Sequence, residues 1–199
     1  PWGHHNPCPG PAGAARRGTG YDAPMVEMKV SGIILEPKSR SPIVVLKDLE
    51  ERRALLIWVG EPEANAILMG LEQVETPRPL THDLFLACLE TLDATVTEVA
   101  ILSMKDKTFF AEVTLSCHGK VHRVDARPSD ALALALRAEA PVLVADEVME
   151  ASGIPIRQSG EEGPAAAQGE DEEFRRFLEN VKPSDFSRLG GSDLPGDPS

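Results

Sequence analysis

From Val124 to Asp146 the chain reads VDARPSDALALALRAEAPVLVAD, and this stretch limits the possible folds more sharply than any other. An alternating run, Lys120–Val124, must give way within a few residues to an almost purely apolar helix, Ala131–Ala138, and then to a short apolar strand, Pro141–Ala145. Pro128 suits the first helical turn, where a missing N–H costs nothing, and Ser129 and Asp130 are placed to cap that turn or face its positive end. A helix with so few polar residues has to be buried. Asp125, Arg127 and Asp130 crowd the junction, and charges at the edge of a buried element need a reason.

The rest of the chain up to Ile156 reads as hairpins with helices between them. Val26–Leu35 alternates and is rich in β-branched residues, and Ile43–Lys47 followed by Ala54–Val59 forms a hairpin across the charged DLEERR turn. Gly60-Glu61-Pro62 breaks the strand and starts a helix expected to run to about Val74, with Ala64, Ile67, Leu68 and Leu71 on one face. Thr81 reads as the N-cap of a second helix, in which Leu84, Phe85, Cys88, Leu89 and Leu92 make one apolar stripe and Cys88 belongs to the core. Thr95–Ser103 and Thr108–Ser116 form a second hairpin, His118-Gly119 turns the chain into Lys120–Val124, and Asp146–Ala151 is a short closing helix. The fold class expected is α+β, with a mostly antiparallel sheet built from hairpins and helices inserted between them.

Pro and Gly concentrate in Pro1–Pro24 and after Gly153, which confines the packed body to about residues 25–156. Residues 1–24 read as a disordered leader that need not be native, with Met25 a candidate start. Residues 157–199 read as an acidic linker followed by a short helix, FRRFLENV, whose Phe174, Phe177, Leu178 and Val181 share a face. So short a helix needs a surface to dock on, either the core or a neighbouring subunit, so a homo-oligomer is expected.

Charge and cysteine content exclude several classes. Met25–Ile156 carries 13 basic and 21 acidic residues within a chain of net charge −12, the wrong sign for gripping nucleic acid by general phosphate neutralisation. Cys8, Cys88 and Cys117 are odd in number and lack CxxC spacing, so neither a disulfide framework nor a zinc knuckle is indicated. No apolar run approaches the roughly 18 to 20 residues of a membrane span. A cytoplasmic protein without a membrane partner is expected.

Three polar clusters stand at helix starts: WVGEPEAN at 58–65, RPLTHD at 78–83 and DARPSD at 125–130. Such termini can hold an anion, or a metal through carboxylates. WVGEPEANAI, RPLTHDL and above all DARPSDALALALR resemble, in order, the motifs of the bifunctional nuclease domain family, over most of residues 25–155. The resemblance implies an α+β fold and hydrolysis of phosphodiester bonds in RNA and DNA, making RNA or DNA the expected substrate. No organic cofactor is expected.

For such a reaction the residues suggest roles. Asp125 and Asp130, with Glu63 or Asp83, are candidate ligands for Mg²⁺ or Mn²⁺. Arg127 could clamp a phosphate oxygen, and His82 could serve as general acid or base near neutral pH. Each has a plainer alternative: Asp130 and Asp83 steady their helices, Thr81 and Ser129 cap, and Arg127 pairs with Asp125. His118 and His122 read as surface residues, and Trp58, Phe109 and Phe110 as core rather than a base-stacking platform. The alternative function is a non-catalytic ligand-binding or regulatory module that oligomerises.

Overall fold

A computed structural model of the chain describes Tyr21 and residues 23–156. The expected leader and C-terminal helix therefore lie outside the described residues, Tyr21, Ala23 and Pro24 apart. In chain order the elements are β1 (Met25–Leu35), β2 (Pro42–Asp48), β3 (Arg53–Trp58), α1 (Glu61–Leu71), α2 (Thr81–Thr91), β4 (Ala94–Lys105), β5 (Thr108–Cys117), β6 (Lys120–Ala126), α3 (Pro128–Ala138), β7 (Val142–Ala145), α4 (Asp146–Ser152) and β8 (Ile154–Pro155).

All eight strands form one sheet in the order β6-β5-β4-β7-β1-β2-β3-β8. It consists of two antiparallel meanders, β1-β2-β3 and β4-β5-β6, joined by β7. That four-residue strand is buried throughout and pairs antiparallel with β1 and parallel with β4. Apart from β4 with β7, every pairing is antiparallel, as the alternating hairpin pattern requires. The fold is α+β. The sequence does not signal the parallel junction, because a fully buried four-residue strand carries no alternation.

The tight turns follow from backbone chemistry. His118 (φ 48°) and Gly119 (φ 75°) both take left-handed angles, as do Asp106 and Lys107, and two such central residues make the turn whose twist matches a hairpin. Helix α1 stops at Leu71, three residues before the expected Val74. Gln73 turns left-handed, and the Gln73 and Val74 N–H groups close back on the carbonyls of Gly70 and Met69, a Schellman ending.

The main core lies under α1 and α3. Ser129 and every residue from Ala131 to Ala135 are buried in α3, packed over Val99, Ile101, Ala111 and Val113 of the sheet. Alanine at every second position lets the helix approach closely while Leu132 and Leu134 fill the space between. A smaller cluster, Ile34, Ile43, Val45, Ala54 and Leu56, lies on the other face with Ile154 and Ile156.

Helix α2 departs from its sequence reading. It has no buried residue, Leu84, Phe85 and Cys88 are exposed, and Leu92 just beyond it is 64% exposed; only Leu86 packs against the main core. The stripe has helical period, but period shows only that a helix is amphipathic and not what covers its apolar side. Trp58 and Phe110 are also exposed rather than core, while Phe109 packs partly buried against the core. His118 and His122 are exposed, as expected. No helix among the described residues is long and apolar enough to cross a membrane.

Candidate functional site

Each of the three polar clusters opens a helix, and the structure brings the three helix starts to one cleft. Its lining includes Pro62, Glu63 and Asn65 from α1, Leu80, Thr81 and His82 from α2, and Arg127, Asp130 and Arg137 from α3, around a volume of about 360 Å³. Extended residues precede all three helices, Gly60, Leu80 and Arg127, and none gives a side-chain cap. Thr81 is thus the first helical residue rather than the N-cap. The cap position is Leu80, whose N–H donates to Asp83 Oδ2 at 2.8 Å. Ser129 is buried inside the first turn of α3 and does not cap it.

Arg127 is the hub. Its Nε and Nη2 donate to Asp130 Oδ2 and Oδ1 at 2.7 and 3.1 Å, and Nη1 donates to Glu63 Oε1 at 3.0 Å on α1. Hydrogen bonding to Asp130, then the charges of Asp130 and Glu63, hold the guanidinium pKa above its ordinary value. A guanidinium has five N–H groups, so two donors remain on a side chain that is 65% exposed. His82, mostly buried, sets Nε2 at 3.6 Å from Asp130 Oδ1. That is too long for a hydrogen bond and close enough for one to form with a small movement.

A second arginine lies behind this group. Arg137, only 10% exposed, donates from Nε to Asp83 Oδ1 at 2.6 Å and from Nη1 to the Ala133 carbonyl at 2.8 Å. Its guanidinium passes over Gly70, where a Cβ would stand 2.8 Å from Nη1. Asp83 therefore ties the start of α2 to the end of α3 while His82, its neighbour, reaches the start of α3. Sequence reasoning missed Arg137 as a site residue. The signal available was a single cation in the apolar run that follows Asp130, and such a cation rarely stays buried without a partner.

Of the expected site residues the structure gathers Glu63, His82, Arg127 and Asp130, and places Asp83 one step back. Asp125 is not with them. It pairs in register with Glu112, one residue along from Val113, which is buried in the core beneath α3, so its side chain projects from the sheet face opposite α3. Arg127 accordingly pairs with Asp130 and Glu63, not with Asp125.

This bears on the divalent ion. Asp125 and Asp130 point to opposite sides of the sheet, and both Asp130 oxygens already accept from Arg127. Among the described residues no group of three or more His, Cys, Asp or Glu side chains could hold a metal. As placed, the residues do not fit a resident Mg²⁺ or Mn²⁺. What they offer an anion is the two free guanidinium donors, the positive ends of three helices and an imidazole.

Comparison with known sequences adds a family. The sequence model of the bifunctional nuclease domain matches residues 44–157, a span that contains all six candidate residues. Two uncharacterized proteins of Mycobacterium tuberculosis, from strains CDC 1551 / Oshkosh and ATCC 25618 / H37Rv, are each 38% identical over 164 residues, covering 81% of this chain and 98% of the relative.

Proposed function

We propose, from the premise that this chain belongs to the bifunctional nuclease domain family, that the cleft between α1, α2 and α3 binds and hydrolyses phosphodiester bonds of RNA and DNA. The observation that carries this reading is the convergence of three helix N-termini on Arg127, with His82 beside them. The two remaining Arg127 donors hold a non-bridging phosphate oxygen, and the helix ends favour the extra negative charge of the pentacoordinate state. His82 accepts a proton from the attacking water as its oxygen bonds to phosphorus, and the P–O bond to the leaving sugar oxygen breaks, that oxygen taking a proton from solvent. Asp130 and Glu63 orient the guanidinium, and Asp83 and Arg137 fix the helices that carry these groups. An acidic chain whose cleft holds one well-exposed guanidinium, Arg127, suits a single strand held at one phosphate better than a duplex held along its length. The protein works in a reducing, cytoplasmic setting, in keeping with the free thiols of Cys88 and Cys117.

One observation favours a second reading. Arg127 is already bound by two carboxylates, which suits a module that exchanges those bonds for a small anion without chemistry. Purified protein assayed on single-stranded RNA and DNA, with Mg²⁺, with Mn²⁺ and with EDTA, separates the two. Turnover that falls at least tenfold in both Arg127→Ala and His82→Ala, with unchanged circular dichroism, supports hydrolysis in this cleft. Phosphate binding that needs Arg127, without turnover in any metal condition, supports the binding module.

A further inference from the structure

Helix α2 keeps its apolar side outside the fold. Leu84, Phe85 and Leu92 are 54%, 45% and 64% exposed, Cys88 is exposed with them, and no residue of the helix is buried. Steps of one, three and four residues set these four side chains along one stripe that no charge interrupts. A continuous exposed row of large apolar side chains marks an interaction surface.

We infer that α2 packs antiparallel against α2 of a second copy of this chain, about a two-fold axis passing at Cys88. A two-fold axis brings one patch onto itself, so the patch has to complement its own reverse. Cys88 stands midway between Leu84 and Leu92, and centring the pair there lays Leu84 and Phe85 of each copy against Leu92 of the other, with the two small thiols at the crossing. A slip of one turn carries Leu92 past Thr81, the first residue of the other helix, or Leu84 past Thr91, its last. Charge agrees with the antiparallel direction. The last turn of α2 has no basic residue and exposed Asp93 follows it, an acidic ending that opposes the helix's own dipole. In the pair each acidic end lies level with the positive first turn of the other copy.

The chain's own tail suits this surface less well. The described chain ends at Ile156, which packs with the smaller cluster on the sheet face opposite the main core and bonds to Arg52 at the start of β3. Helix α2 lies on the main-core face through Leu86 and beside β4, four strands from β3. The FRRFLENV segment also follows the acidic run EDEE at 170–173, the same sign as the end of α2. A helix of 11 residues is only about 16 Å long, so the contact is small and the dimer forms at high concentration rather than being obligate. The first turn of α2 lines the cleft, so each cleft opens beside the second copy. The inference rests on the outer face of α2 and does not depend on hydrolysis.

Sedimentation of the full chain over a range of concentrations tests it. The wild type should pass from monomer to dimer, and Leu84→Asp or Leu92→Asp, with unchanged circular dichroism, should raise the dissociation constant at least tenfold. A chain carrying Cys8→Ser and Cys117→Ser should join in pairs through Cys88 on mild oxidation, since helix axes roughly 8–10 Å apart bring facing Cα atoms within the span of a disulfide. Leu92→Asp in that background should slow the joining at least tenfold relative to the reaction of Cys88 with a small thiol reagent. A wild type that is monomeric at every concentration would overturn the inference, as would a dimer indifferent to both aspartates. So would a Cys88 shielded from the reagent in dilute protein until Phe177→Asp exposes it, which would seat the chain's own tail on α2.

Discussion

Arg127 lays one edge of its guanidinium on both carboxylate oxygens of Asp130, one helical turn away, and extends its remaining terminal nitrogen to Glu63 on another helix. A residue at the cap position of α3 thereby joins α1 to α3 at the point where both helices present their positive ends. The planar fork matters: a lysine there would carry the same charge and could not hold both carboxylates in this geometry.

Arg127→Lys should therefore behave differently from a charge-conserving change. Binding of inorganic phosphate, read by calorimetry, should weaken roughly tenfold or more, since a charge-assisted bond is lost along with the fork. Thermal stability should hardly move, because the side chain is mostly exposed and solvent screens exposed ion pairs. A variant that binds phosphate as the wild type does would remove Arg127 from the anion site.

Arg137 reverses that balance. Arg137→Ala removes a buried cation from Asp83 and from the Ala133 carbonyl, at a cost of about 2–3 kcal/mol, visible as a lower midpoint in urea. Gly70→Ala probes the same contact. Alanine favours the helix by about 0.5–1 kcal/mol, yet its Cβ would displace Arg137. Little net change in stability, together with weakened phosphate binding, is the outcome expected.

Phe85→Ala separates the two views of α2. A core phenylalanine truncated to alanine costs about 3–5 kcal/mol. An exposed one costs within about 0.5 kcal/mol, and the structure exposes Phe85. Denaturation of dilute protein should show the small value.

Tyr21 is the only tyrosine in the chain, so its ionisation can be read directly by ultraviolet absorbance. Partial burial, reinforced by the charges of Glu98 and Glu112, pushes its phenol above the ordinary value, against the opposing effects of its bond to Thr114 and of Arg123. The folded state then holds the proton more tightly than the unfolded state. Its contribution to stability is full below the ordinary phenol pKa and is lost as pH rises through the folded one. Absorbance titration should give a midpoint above that of denatured protein, and Tyr21→Phe should flatten this part of the stability profile.

Much of this architecture was legible in local pattern. Strand alternation, the Asp106-Lys107 and His118-Gly119 turns and the apolar face of α3 each follow from residues close together in sequence, where backbone geometry leaves few options. The gathering of Glu63, His82, Arg127 and Asp130 was anticipated because all sit at helix starts. The error over Asp125 has an equally local cause. Only four residues lie between it and Asp130, but a strand alternates its side chains between faces and a helix does not, so a change of element after Ala126 sends the two carboxylates to opposite sides of the sheet.

What the sequence determined alone is therefore the inventory: hairpins, a buried alanine-leucine helix, and charges at three helix starts. Tertiary structure decided the rest. It inserted β7 between the two meanders, left the apolar side of α2 facing outward, drew Arg137 under the cleft and chose Asp130 over Asp125 as the partner of Arg127. Periodicity states which side of an element is apolar or charged. Only packing among elements distant in the chain states what that side meets.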